Sequence, residues 1–61
     1  MLHDTGYVIE IEDEALGLIV DEADGVTFHA VHPRTYALEG RRFADAVAAT
    51  RAAREAFRRA A

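Results

Sequence analysis

Apolar and polar residues alternate along the first half of the chain with the period of two that is typical of β-strands. The pattern predicts three strands, over about residues 7–12, 15–21 and 26–32. Asp13-Glu14 and Ala23-Asp24-Gly25 have the composition of tight turns between these strands. Pro33 ends the third strand, because proline has no N–H to donate to a β-ladder. Turns this short join antiparallel neighbours, so the sequence predicts a β-meander.

The two turns also predict the register of the strands. The first turn, taken as a two-residue loop, pairs Ile9 with Leu18, and the second, taken as a three-residue loop, places Val20 opposite Phe28. This register puts the large apolar residues of all three strands on one face, and a slip by one residue would break that agreement. The predicted core face consists of Tyr7, Ile9, Ile11, Leu16, Leu18, Val20, Val26, Phe28 and Ala30.

The last third of the chain changes to a helical period and predicts one α-helix over about residues 45–60, with Asp45 as the N-cap. Small apolar residues recur on one side of it, together with one large one: Ala46, Ala49, Ala53, Ala56, Phe57 and Ala60. Alanine lets a helix lie close to its neighbour, so this side is expected to cover the core face. The predicted fold is α+β, a three-stranded antiparallel β-meander with one C-terminal α-helix packed on one face, in a single domain of residues 1–61.

A single helix leaves the opposite face of the sheet uncovered. A chain of 61 residues buries only about 60% of its unfolded surface, and this one has no cysteine for a stabilising disulfide. Association stabilises such small domains, so the sequence predicts a homodimer. The alternative is a face that is simply hydrated. The candidate self-association residues are Val8, Ile19, His29 and Val31.

Charge is distributed unevenly along the chain. Residues 1–30 carry eight acidic and no basic residues, whereas residues 31–61 carry seven arginines and three acidic residues. The favoured interpretation is attraction between the two halves within one molecule; the alternative is an acidic partner that binds the basic half. The candidate contacts for such a partner lie in the connection before the helix, where residues 36–38 are expected to be extended: Arg34, Tyr36, Arg41 and Arg42. A nucleic acid is the less favoured kind of acidic partner.

No pattern of residues indicates catalysis or a cofactor. The chain has neither cysteine nor serine, and no glycine-rich phosphate loop. His29 and His32 are three residues apart on a strand and so point to opposite faces, and a metal site would also need His3. The sequence therefore predicts a protein that is not an enzyme, with no catalytic, cofactor-binding or metal-binding residues.

No segment has the pattern of a signal peptide or a membrane-spanning helix. The lack of cysteine is compatible with a reducing compartment. A cytoplasmic location without membrane association is therefore expected.

Two resemblances extend this interpretation. The string Gly25-Val26-Thr27-Phe28-His29-Ala30, then Leu38-Glu39-Gly40 and Phe43-Ala44-Asp45 before an Ala/Arg-rich helix, resembles short bacterial proteins of unknown function. More distantly, the β-β-β-α order is similar to the HicB-type antitoxin fold, which implies a domain that blocks a small ribonuclease toxin. The third strand departs from the F-P-D-L-x-G pattern of that fold, so no functional residue is carried over. The predicted function is a non-enzymatic protein-interaction module that self-associates; the alternative is an antitoxin-like or nucleic-acid-associated regulator that binds an acidic partner through its Arg-rich half.

Overall fold

The structure is a computed structural model that describes residues 6–59. One antiparallel sheet with the strand order β1-β2-β3-β4 is followed by one C-terminal α-helix. The elements are β1 (Gly6–Ile11), β2 (Glu14–Glu22), β3 (Gly25–Ala30), a 3-10 helix η1 (Pro33–Leu38), β4 (Arg42–Phe43) and α1 (Ala46–Arg59). The predicted α+β class, with its antiparallel sheet and C-terminal helix, is confirmed. The predicted number of three strands is wrong, because β4 adds a fourth.

The fourth strand forms because the chain turns back along β3 after η1. Gly40, which has a φ of 78°, makes this turn, and its N–H donates to the Phe28 carbonyl at 2.8 Å. The Phe28 N–H donates in turn to the Arg41 carbonyl at 2.9 Å, and Phe43 pairs with Val26. The segment at residues 36–38 is therefore part of a 3-10 helix and not extended as predicted.

The turn between β1 and β2 lies one residue earlier than predicted, at Glu12 and Asp13. Both residues have positive φ, 50° and 68°, as the two central residues of a type I′ turn do. This turn pairs Ile11 with Glu14. Its twist matches that of the strands it joins, which favours it as a two-residue connection.

A β-bulge at Leu16 then changes the register of β2. Glu10 pairs with Ala15 but Ile9 pairs with Gly17, so Leu16 has no partner on β1. On the other side of β2, the turn at residues 23–24 is shorter than the predicted loop, and Phe28 consequently pairs with Ile19. The predicted pairs of Ile9 with Leu18 and of Val20 with Phe28 are therefore wrong. Compared with the predicted register, β2 is shifted by one residue relative to both β1 and β3, so its side chains point to the opposite faces of the sheet.

The carbonyl of Leu16 organises the chain beyond β3. It accepts hydrogen bonds from the N–H groups of Val31 and His32, at 3.0 and 3.1 Å, so β3 ends at Ala30 and not at His32. The fully buried Thr35 places its Oγ1 2.8 Å from the same carbonyl and 2.9 Å from the His32 carbonyl. The hydroxyl donates its proton to either carbonyl, which satisfies this buried polar group and anchors η1 to the bulge.

The core lies between the sheet and α1. Its buried apolar residues are Ile9, Leu16, Ile19, Val26, Phe28, Leu38, Ala49, Ala53 and Phe57. The helix contributes the predicted alanine side from Ala46 to Phe57, and Ala60 lies outside the described residues. Asp45 caps the helix, since its Oδ1 accepts from the Ala48 N–H at 2.9 Å. The inward faces of β1 and β3 are those predicted, although Tyr7 is half exposed. For β2 the predicted face is wrong.

Candidate functional site

The outer face of the sheet, on the side away from α1, carries an apolar patch. Directly paired residues share a face, so Val8, Leu18 and His29 form one row across β1, β2 and β3. Val20, Thr27 and Arg42 form the next row, across β2, β3 and β4. We refer to these six residues, together with Glu10, as the outer face. Val8 is 54% exposed, whereas Leu18 and Val20 are half-buried by their neighbours.

Three of the four residues predicted for self-association remain accessible. Val8 and His29 lie on the outer face, and Val31, which follows β3, is 54% exposed. Ile19 is fully buried in the core, so its predicted place on the uncovered face is wrong. The physical reason is the bulge, which turns Ile19 inward and Leu18 outward.

Hydrogen bonds and a salt bridge hold the polar side chains on the β3–β4 side of the outer face. One carboxylate oxygen of Glu39 accepts from the Ala30 N–H at 2.6 Å, and the other lies 3.0 Å from His29 Nδ1. The hydrogen bond with His29, and then that with the Ala30 backbone, lower the pKa of Glu39. Arg42 forms a salt bridge with Asp24 at the same side of the sheet. The β3–β4 side of the outer face thus holds ordered polar groups, whereas the β1 side carries the acidic Glu10.

The predicted contacts for an acidic partner are divided between two places. Arg34 and Arg41 line one cleft, of about 410 Å³, which lies between η1 and α1 and also includes Arg59. Arg42 lies on the outer face instead, and Tyr36 is 61% exposed. Sequence reasoning missed Arg59. Ala56 and Arg59 are three residues apart in α1 and therefore lie on the same side of the helix. This spacing is the signal in the sequence that could have indicated Arg59.

Arginine and acidic residues seldom pair across the two halves of the chain. Only Arg42 among the seven arginines forms a salt bridge with a carboxylate of residues 6–59. Along α1, Arg51, Arg54 and Arg58 are exposed on the side away from the sheet. We call these three residues the arginine ridge. Direct contact between the halves therefore neutralises little of the positive charge in the part of the chain that the structure describes.

A second groove separates β1 from the start of α1. It has a volume of about 300 Å³ and is lined by Tyr7, Ala46, Val47, Thr50, Arg51 and Arg54. Tyr7 and Val47 are 51% and 66% exposed. The groove joins the free edge of the sheet to the arginine ridge.

The two histidines have different partners and different roles. His32 Nδ1 accepts from the Arg34 N–H at 3.1 Å, so the proton of the neutral ring lies on Nε2, 2.9 Å from a Glu14 oxygen. Its ring also contacts Phe57 edge to face, at 5.2 Å between centroids. His32 thus caps η1 and packs against α1. Within residues 6–59, no group of three or more potential metal ligands comes together; His3 lies outside the described residues.

Within the same residues, no helix is long and apolar enough to span a bilayer. Comparisons with protein-family models, curated proteins and solved structures found no match. The resemblances drawn from the sequence therefore stay predictions, and the function has to be argued from the surfaces described above.

Proposed function

We propose that this protein is a cytoplasmic, non-enzymatic interaction module that self-associates through the outer face of its sheet. The observation that carries the proposal is the row of apolar side chains from Val8 through Leu18, beside Val20, on a face that no element of residues 6–59 covers. Apolar surface of this kind is the usual driving force for association. Strands about 4.8 Å apart and six residues long give the face an area of roughly 400 Å² per copy.

The charges around the patch favour a second copy as its partner. Glu10 and Arg42 lie at diagonally opposite corners of the outer face, two rows apart along the strands. A two-fold axis that runs diagonally between two facing sheets, so that their strands cross at nearly right angles, places the Glu10 corner of each copy opposite the Arg42 corner of the other. Glu10 of one copy then faces Arg42 of the partner subunit, and the same contact repeats on the other side. Two faces of roughly 400 Å² bury about 800 Å² in total, which is below the size of a permanent interface. The expected dimer is weak and reversible, with a dissociation constant in the micromolar range or above.

Matched aspartate substitutions test this interface. Val8→Asp and Thr27→Asp place a charge on two different strands of the outer face, and both should shift the protein towards monomer. Val47→Asp is the control, because Val47 is also an exposed valine but lies on α1, away from the outer face. Sedimentation equilibrium from micromolar to millimolar protein measures the association constant, and circular dichroism checks the fold.

The possible outcomes separate three arrangements. Association that weakens with both outer-face variants and not with Val47→Asp supports the proposal. Association that weakens with Val8→Asp alone would indicate pairing through the free edge of β1 instead. A wild-type protein that stays monomeric at millimolar concentration would refute self-association.

The unpaired arginines favour a second candidate function. We infer that the Arg-rich half binds an acidic partner, as expected for an antitoxin-like or nucleic-acid-associated regulator. Guanidinium groups without carboxylate neighbours are available to bind carboxylate or phosphate groups bidentately. Titration of labelled polyglutamate and of a labelled single-stranded oligonucleotide, each at several salt concentrations, tests this function. Binding of neither polyanion at low salt would refute it.

A further inference from the structure

The cleft between η1 and the C-terminal half of α1 combines positive charge with an apolar floor. Its floor consists of Ala37, Leu38 and Ala56, and its rim of Arg34, Arg41 and Arg59. We infer that this cleft binds a short acidic peptide segment of a partner protein, with one large apolar side chain in the floor and flanking carboxylates on the arginines. The inference rests on the second candidate function, acidic-partner binding, and is independent of self-association, which uses the opposite side of the sheet.

Two of the three rim arginines are held in place before any ligand binds. The Arg34 guanidinium lies over the Phe57 ring, 4.8 Å from its centroid, and Nη1 donates to the Phe57 carbonyl at 3.4 Å. The Arg41 guanidinium lies over the Phe43 ring at 5.6 Å. A stacked guanidinium keeps donors in its plane for a carboxylate, and less side-chain freedom is lost when the ligand binds.

The charge on the rim is not balanced inside the cleft. None of the three rim arginines forms a salt bridge with an acidic side chain of residues 6–59. The rim is therefore complementary to a ligand that brings two or more negative charges.

The floor distinguishes a peptide from a phosphate backbone. Leu38 is nearly buried, and the two alanines beside it are short, so the floor offers an apolar recess and not a polar surface. A volume of about 410 Å³ is larger than a leucine or phenylalanine side chain, so the cleft has room for one. Free phosphate or a sugar-phosphate chain would gain nothing from this recess. A nucleic acid would be better matched by the exposed arginine ridge of α1, where charges follow one another along the helix.

The experiment measures binding between the whole 61-residue chain and a fluorescein-labelled pentapeptide. The peptide has blocked ends and a leucine between two pairs of glutamates. Fluorescence anisotropy measures its affinity for the wild type and for three variants that each remove one positive charge. Arg41→Gln and Arg59→Gln change the rim. Arg51→Gln, on the arginine ridge, is the matched control. We expect each rim variant to weaken binding about five- to tenfold and Arg51→Gln to weaken it less than about twofold, because a charge-assisted hydrogen bond is lost only at the rim.

Changes in the peptide test the floor and the source of the charge. Replacing the central leucine with glycine should weaken binding about tenfold, since the buried apolar contact is lost. Replacing the glutamates with glutamines should abolish measurable binding. An oligothymidine competitor should displace the peptide only at much higher concentration.

Three results would overturn the inference. Equal losses for Arg51→Gln and the rim variants would show that the peptide binds by net charge alone, which leaves acidic-partner binding intact but removes the cleft. Oligothymidine that binds more tightly than the peptide and is sensitive to the same rim variants would assign the cleft to nucleic acid. Binding of neither probe at low salt would remove the second candidate function together with the cleft. Amide chemical shifts distinguish each of these results from misfolding of a variant.

Discussion

Replacing Gly17 with alanine should destabilise the fold strongly, although the change adds only one methyl group. A Cβ atom at position 17 would lie 2.2 Å from Cζ and 2.5 Å from Cε1 of Phe28, and 2.7 Å from the His29 carbonyl oxygen. Phe28 is fully buried, so its ring has no free space into which to move. Glycine at this position is what lets the ring lie flat across β2.

The magnitude follows from two opposed effects. Inserting atoms into a packed core typically costs about 1–3 kcal/mol, and contacts this short place the variant at or above the upper end of that range. Alanine in place of glycine within a strand otherwise gains about 0.5–1 kcal/mol. A 61-residue domain has a total stability of roughly 3–9 kcal/mol, so Gly17→Ala is expected to remove a large part of it.

Urea denaturation followed by circular dichroism measures this loss as a change in the free energy of unfolding. If Gly17 lay on the outer face, as the regular register predicted from the sequence requires, the same substitution would stabilise the protein. The two registers therefore predict opposite signs, and a stabilised Gly17→Ala variant would refute the bulged one. Adding Phe28→Leu should recover part of the loss, and the recovery stays partial because the contact with the His29 carbonyl remains.

Two further predictions concern polar contacts. Thr35→Val removes a fully buried hydroxyl that donates to a backbone carbonyl, so thermal denaturation should show a loss of about 1–2 kcal/mol in the free energy of unfolding. The control Thr27→Val, on the outer face, should lose less than about 0.5 kcal/mol. Equal losses for the two variants would contradict the anchoring of η1 by Thr35. The pKa of Glu39 is lowered in the folded state by His29 and by the Ala30 N–H, so its contribution to stability is present above the unfolded-state pKa and is lost as the pH falls through the folded-state pKa. Glu39→Gln should therefore flatten the acid side of a plot of melting temperature against pH, and an unchanged slope would show that the carboxylate contributes nothing there.

Much of the fold could be predicted because three segments have unambiguous patterns. Strands β1 and β3 alternate clearly, and α1 has an alanine side that only the helical period explains. The face of β2 could not be predicted in the same way. Residues 18–20 are all large and apolar, so either face of this strand looks suitable for the core, and the bulge at Leu16 and the turn at residues 23–24 decide between them. The earlier position of the first turn changes the pairing by two residues and so leaves the face of β2 unchanged. The bulge at Leu16 and the shorter second turn each change the pairing by one residue, and these two differences turn β2 over relative to β1 and β3.

The residues of the candidate surfaces were harder to predict. Those of the outer face depend on which face of β2 is buried, and those of the cleft depend on how η1 packs. Val8 and His29 belong to strands whose faces were predicted correctly, and they lie on the outer face. Ile19 was assigned with the wrong face of β2 and is buried. Arg34 and Arg41 were chosen for their charge, yet they meet Arg59 only because η1 folds against α1, and no period in the sequence indicates that short helix.

One extra residue in β2 accounts for both proposed binding surfaces. The bulge at Leu16 turns Leu18 and Val20 outward, where they continue the apolar patch that begins at Val8. The same bulge presents the Leu16 carbonyl to Thr35, and this hydrogen bond holds η1 in place. η1 in turn forms one wall of the cleft that Arg34, Arg41 and Arg59 line. A regular ladder would bring Gly17 and Ile19 to the outer face and leave η1 without this anchor. The bulge also brings both Leu16 and Ile19 into the core, so the two proposed surfaces depend on the same irregularity as the packing of the sheet against α1.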